Sequence, residues 1–235
     1  MKVGLMAAVA ASLSVTLCSG APCVSGSLSS YIALAGGGCT IGTNSLFNFQ
    51  VVSGTTGGTE IAAVNVLLSP LGGAVDPGLN TSVNGTATSG SVLETLFTYQ
   101  ISGNAYTSAA ITLSNSSESG NGSVTGLSDL CLGGTFGSNG VTGCTGIARA
   151  LATVDGAQNQ DSATFSPAFL LSVTNDLTID SGITGTATGG TLTNRFTAMA
   201  AVPEPVTALL TVFGLIFAAA ARKNPATHDP GKEDS

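Results

Sequence analysis

The chain has no tryptophan, a single histidine (His228) and few charged side chains, 8% of its 235 residues. Each scarcity removes a class of function. Between residues 21 and 198 there is no histidine at all, so a serine or cysteine nucleophile there would have no imidazole base, which excludes Ser-His and Cys-His chemistry. Without tryptophan the chain lacks the strongest platform for stacking a sugar ring. Over the same stretch Arg149 and Arg195 are the only basic residues, set against nine carboxylates. Such a surface repels phosphates, so nucleic acid is not expected as a partner. No Cys-x-x-Cys occurs, which argues against a zinc site, and no cofactor is expected.

What is plentiful is glycine, 32 residues, together with serine, threonine and small apolar residues. An apolar segment also lies toward each end. Lys2, the nearly all-apolar stretch 3–17 and the small residues Ser19, Gly20 and Ala21 read as a signal peptide over 1–20. Pro22 is a poor residue immediately after a cut, which favours cleavage after Gly20. Leu17 is not the small residue that a lipidation site needs before its cysteine, so Cys18 is expected to leave with the signal. Near the other end Pro203, Glu204 and Pro205 precede the run 206–221, whose only weakly polar positions are Thr207, Thr211 and Gly214, and then come Arg222 and Lys223. The two prolines fix φ and lack an N–H, which holds Glu204 in an extended segment of the kind a protease cleft accepts. As a helix the run spans roughly 24 Å. That is short for a bilayer, but the run has no polar face of the sort a core helix shows. It is expected to be a single transmembrane helix, with Arg222 and Lys223 as a cytoplasmic stop, the large N-terminal portion outside, and 224–235 as a cytoplasmic polar tail.

Box, span and basic stop together, residues 199–223, resemble the PEP-CTERM sorting signal of exported bacterial proteins. The resemblance implies passage through the secretory translocon, anchoring in the inner membrane, and recognition at Pro203, Glu204 and Pro205 by an exosortase-type membrane protease. It also implies a final place at the cell surface or in the extracellular matrix. The extra tail 224–235 departs from the family pattern, whose members end close behind the basic cluster.

The region 21–198 is expected to form one domain, an antiparallel β-sandwich, because its apolar residues recur with a period of two. Phe47, Phe49 and Val51 alternate with Asn48 and Gln50. Ala62, Val64, Val66 and Leu68 repeat the period. Leu93, Thr95, Phe97, Tyr99 and Ile101 share one face against Glu94, Thr98 and Gln100. Ala109, Ile111 and Leu113 follow, then Phe169, Leu171 and Val173, then Leu192, Asn194 and Phe196. Turn-rich clusters at 53–59, 76–90, 115–122 and 180–190 separate them. Leu28, Tyr31, Ile32 and Ala35 instead make a helical stripe ended by Gly36, Gly37 and Gly38. The tetrads Gly85-Thr86-Ala87-Thr88 and Gly185-Thr186-Ala187-Thr188 read as a product of composition.

Four cysteines remain after export, Cys23, Cys39, Cys131 and Cys144, and disulfides are the expected state. They allow three connectivities. The local pairs Cys23 with Cys39 and Cys131 with Cys144 are the economical choice, each closing a Gly-rich loop for about 3 kcal/mol. The series Cys23, Ser27-Leu28-Ser29-Ser30-Tyr31-Ile32, Gly38-Cys39-Thr40-Ile41-Gly42 and Phe47-Asn48-Phe49 is similar to a recurrent type of PEP-CTERM exoprotein. That likeness supports the β-sandwich and the local pairing and implies no activity.

Candidate chemistry is sparse. Asp155 with Asp161, and Asp176 with Asp180, are the carboxylate pairs that glycoside hydrolysis would require, but nine acids in such a chain produce close pairs by chance. Asn175, Asp176 and Asp180 could supply oxygen ligands to calcium from one loop. Tyr31, Tyr99 and Tyr106 are the aromatic residues with a polar handle, and of these Tyr99 is expected in the core. The expectation is a non-catalytic surface or matrix protein associated with exopolysaccharide; the alternative is a carbohydrate-binding module for that polysaccharide.

Overall fold

The computed structural model describes residues 20–52, 57–137 and 140–199. The signal segment 1–19, the Pro203-Glu204-Pro205 box, the run 206–221, Arg222, Lys223 and the polar tail all lie outside the described residues. Among the described residues no helix is long and apolar enough to cross a membrane.

The domain is all-β. In chain order it runs β1 (Gly26–Ser27), helix α1 (Leu28–Ile32), β2 (Cys39–Ile41), β3 (Asn44–Val51), β4 (Thr59–Glu60), β5 (Val66–Leu71), β6 (Gly78–Val83) and β7 (Thr86–Thr88). Then follow β8 (Val92–Ser114), β9 (Ser117–Ser119), β10 (Ser123–Leu132), β11 (Ile147–Val154), β12 (Gln160–Asp180), β13 (Thr186–Thr188) and β14 (Thr191–Ala198). Strands β8 and β12 are 23 and 21 residues long, against a usual 3–10. They pair antiparallel over nearly their whole length and organise everything else. The first half of β8 takes β3 on its free side, whereas the second half takes β14. The second half of β12 carries β10, which in turn carries β11.

A flat sheet would hold β14 and β10 three strand spacings apart, about 14 Å. Their side chains nevertheless touch, since Asn194 Nδ2 donates to Ser128 Oγ at 2.9 Å. The long pair therefore bends over, and the sheet closes on itself as a sandwich. One layer holds β11, β10, the second half of β12, the first half of β8, β3 and β2. The other holds β1, β5, β6, β14, the second half of β8 and the first half of β12. The corner is marked by register shifts between Thr164 and Leu170 on β12. Opposite them on β8 sits Gly103, at φ +134° with the Thr43 carbonyl where a Cβ would lie, a place only glycine fills. At Gly126 the layers approach so closely that a Cβ would stand 2.6 Å from Leu192.

The core follows the period-two reading. Phe97, Tyr99, Ile101, Ile111, Leu171, Val173, Leu192 and Phe196 are buried. Phe49 packs between Tyr31 and Tyr99, with ring centroids 4.9 and 5.4 Å away. Two buried asparagines, Asn175 and Asn194, are satisfied by each other and by Ser128 across the layers, as buried amides must be. Both local disulfides form, Cys23–Cys39 and Cys131–Cys144.

Several expectations are corrected. Helix α1 is capped by Ser27, whose Oγ accepts from the Ser30 N–H, and it ends at Ile32, so Ala35 lies in a separate 3-10 turn at φ +50°. Val64 also belongs to a 3-10 turn and is exposed; the strand starts at Val66. In β3 a register shift between Phe47 and Gln50 breaks the alternation, so Leu46 and Phe49 are buried while Phe47 is only half-buried. Phe169 falls at the corner and is exposed, although Leu171 and Val173 are core. Glu94, assigned to the outer face, is buried. The turn-rich cluster 76–90 contains β6 and β7. The two Thr-Ala-Thr repeats are neighbours, because β7 and β13 pair with Ala87 opposite Ala187 and both alanines are buried.

Candidate functional site

The outer face of the first layer is polar. Strands β8, β12 and β10 present Glu94, Thr98 and Gln100, then Ser172, Thr174, Asp176 and Thr178, then Asp129, a consequence of strict alternation along paired strands. Part of this face is roofed by residues 134–137 and 140 of the segment that the Cys131–Cys144 disulfide closes. Ser172 Oγ donates to the Gly134 carbonyl at 3.0 Å, and Thr174 Oγ1 donates to the Gly140 carbonyl. Between roof and sheet lies a cleft of about 220 Å³, lined by Asn48, Gln50, Thr98, Gln100, Ser172 and Phe136 among others, none of them charged.

The side chains of this cleft are oriented by a chain of hydrogen bonds. Asn48 Nδ2 donates to Gln100 Oε1 at 2.7 Å, and Gln100 Nε2 donates to Ser172 Oγ at 3.1 Å. Asn48 adopts φ +55° inside a strand. This is the bulge that interrupts β3, and asparagine tolerates the left-handed region better than most residues.

Beside the cleft the face turns acidic. Asp176 Oδ1 accepts from Thr178 Oγ1 at 3.0 Å. Burial pushes the Asp176 carboxyl up to about 6, and the charges of Glu94 and Asp129 add to the rise while the Thr178 bond opposes it. Burial also raises Asp129. Among the described residues no three His, Cys, Asp or Glu side chains are placed to hold a metal ion.

The candidate residues read from sequence do not converge. Asn175 and Asp176 are consecutive in a strand and face opposite ways, Asn175 into the core and Asp176 outward. Asp180 lies about 13 Å further along, where its Oδ1 accepts from the Gly182 N–H at 2.7 Å in a turn. The calcium set Asn175, Asp176 and Asp180 is therefore not assembled. The same spacing takes Asp176 and Asp180 beyond the roughly 5–9.5 Å separation of glycosidase carboxylates. Asp161 is bonded to backbone, Oδ2 accepting from the Ala152 N–H and Oδ1 from the Ser162 N–H. Tyr31, Tyr99 and Tyr106 are all buried and offer no surface handle. Tyr31 donates to the Val24 carbonyl and Tyr106 to Asn44 Oδ1, each at 2.8 Å, and burial pushes the Tyr31 phenol up to about 12. Among the described residues the buried Tyr99 hydroxyl has no hydrogen-bond partner. Sequence reasoning missed the neutral cleft; its one local signal was an asparagine interrupting the apolar alternation at Asn48.

No protein-family model matches the chain, and no curated protein does. Among solved structures it is similar to a chain of the Glycosylation Associate Protein (Gap123) complex from Streptococcus agalactiae, at 12% identity and a TM-score of 0.27, covering 68% of this chain and 27% of that one. A second likeness is to TmCBM61, solved in complex with β-1,4-galactotriose, at 7% identity and a TM-score of 0.23, covering 50% of this chain and 69% of that one. The chain thus spans about 27% of the length of the streptococcal protein. At these TM-scores neither likeness carries an argument.

Proposed function

We propose that this is an exported, non-catalytic bacterial surface or matrix protein, delivered through the secretory pathway and sorted by its C-terminal signal. The observation that carries the reading is the Pro203-Glu204-Pro205 box followed by an apolar run and Arg222-Lys223. Two disulfides support it, because such bonds persist in oxidising compartments outside the cytoplasm. Export exposes the chain to that environment through a signal peptide ending near Gly20. An exosortase-type protease in the inner membrane then acts at the box and releases the sandwich to the cell surface or into exopolysaccharide. A small domain held by a buried aromatic core and two cystines suits a place without chaperones or reducing power.

The test is to replace Pro203, Glu204 and Pro205 together by alanine in the producing bacterium and to fractionate the cells. The variant is expected to accumulate in the membrane fraction while the parent protein reaches surface and medium. Equal distribution of the two proteins would overturn the sorting role of the box.

A further inference from the structure

We infer that the cleft beneath the Cys131–Cys144 loop is a binding site for one neutral pyranose unit of a glycan. This goes beyond the sorting reading and does not rest on it. The sugar-stacking residues that the sequence offered, Tyr31, Tyr99 and Tyr106, are buried, so a glycan must be recognised by other groups. The cleft supplies them.

Its lining selects the ligand class by charge first. Asn48, Gln50, Thr98, Gln100, Ser172 and Phe136 include no ionised group, so neither an anion nor a cation finds a partner there. The lining is equally poor for a lipid chain, because all but one of these side chains end in an amide or hydroxyl. A strand-like peptide needs an unpaired backbone edge, whereas β8 and β12 in this floor have a paired strand on each side. What remains is a small neutral molecule carrying both donors and acceptors around a ring. Amide side chains present both kinds of group, and Phe136 offers an apolar wall for C–H faces. The volume, about 220 Å³, is below the roughly 300–1,000 Å³ of pockets for larger ligands and suits one ring.

The polar groups are also held in place before any ligand arrives. The bonds from Asn48 to Gln100, from Gln100 to Ser172 and from Ser172 to the Gly134 carbonyl fix the amide directions and leave Asn48 its carbonyl oxygen as an acceptor. A strand interior is an unusual place for a left-handed asparagine, and strained backbone of this kind collects at binding sites. Phe136 also borders a second hollow of about 400 Å³, lined by Arg149 and Asp129 among others. A glycan longer than one residue has room to continue there.

The experiment is amide chemical-shift mapping on the purified, oxidised full-length protein, titrated with the methyl glycosides of glucose, galactose and mannose, with N-acetylglucosamine, and with glucuronate as the charged control. At least one neutral probe is expected to give saturable shifts centred on Asn48, Gln50, Thr98 and Gln100, with glucuronate weaker. Asn48→Gly keeps the left-handed backbone while removing the amide, and Gln50→Ala alters an exposed residue; each is expected to weaken binding about tenfold or more. Saturable shifts confined to another part of the surface would overturn the assignment, as would no saturable shift with any neutral probe, or glucuronate binding as tightly as they do. Should Asn48→Gly fail to fold, the shift map of the parent protein and the Gln50→Ala variant decide, and unchanged affinity in that variant counts against the site.

Discussion

The two edges of the first layer are closed in different ways. At one edge, residues 20–23 lie beside β2: the Cys23 N–H donates to the Thr40 carbonyl and the Thr40 N–H to the Ala21 carbonyl, each at 2.9 Å, and Cys23–Cys39 staples them. Pro22, with no N–H to satisfy, sits at this margin as edge prolines do. At the other edge, among the described residues, β11 has no strand beyond it, and side chains cover its outward groups. Asp161 accepts from the Ala152 N–H, Gln158 donates to the Ala152 carbonyl, and Arg149 donates to the Ala148 carbonyl. An open edge invites pairing with another chain. The first closure is covalent and insensitive to pH or salt, whereas the second can be undone one residue at a time.

The largest expected effect comes from the staple. Cys23→Ser with Cys39→Ser should lower unfolding free energy by about 3 kcal/mol, measured by denaturant titration against the oxidised parent. The Cys131 and Cys144 double substitution should cost nearly as much, because the bridged separations, 16 and 13 residues, differ little in loop-closure entropy. A gap above about 1 kcal/mol between the two would show that one staple also holds native packing together. Next is the corner between the layers, where Gly103→Ala forces a Cβ onto the Thr43 carbonyl and should cost about 2 kcal/mol, read as a lower midpoint.

A smaller effect, of opposite sign, is expected on the acidic face. The folded value of Asp176, about 6, lies above its ordinary 3.8, so the native state holds this proton more tightly than the unfolded chain does. Its contribution therefore favours folding at low pH and is lost as pH rises from about 4 to about 6. Asp176→Asn should raise stability at pH 7 by about 1 kcal/mol, an amount discounted for partial solvent screening, and flatten that part of the pH profile. Smallest in free energy is Asp161→Ala at the β11 edge, about 1 kcal/mol or less. Its sharper readout is self-association by sedimentation, which should rise because the Ala152 N–H is uncovered.

Local periodicity made the inward faces of β8, β12 and β14 legible, and cysteine spacing made both cystines legible; the Ser27 cap shows only in the structure. What stayed hidden depends on partners far away in sequence. Nothing near residue 103 says that β8 continues through a corner, since the bend is enforced by the pairing of two very long strands. The Asn48 bulge needs Gln100, 52 residues away, to make sense, and the cleft needs Ser172, 72 residues from Gln100. Glu94 reads as an outer-face carboxylate because alternation gives direction but not cover. Asn175 and Asp176 are adjacent residues of β12 and point opposite ways, which keeps the calcium candidates Asn175, Asp176 and Asp180 apart. Strands β10 and β11 are not legible in the sequence, because their glycine, serine and alanine content blurs the alternation.

Export with processing at both termini is the central part of the proposed function. Intact mass and disulfide mapping of the protein recovered from the surface and medium of the producing bacterium, with and without its exosortase-type protease, tests that directly. The account predicts loss of the segment before about Gly20 and cleavage at the Pro203-Glu204-Pro205 box only when the protease is present, with Cys23–Cys39 and Cys131–Cys144 peptides in the mature form. A protein that keeps residues 206–235 in the membrane whether or not the protease is there would contradict it.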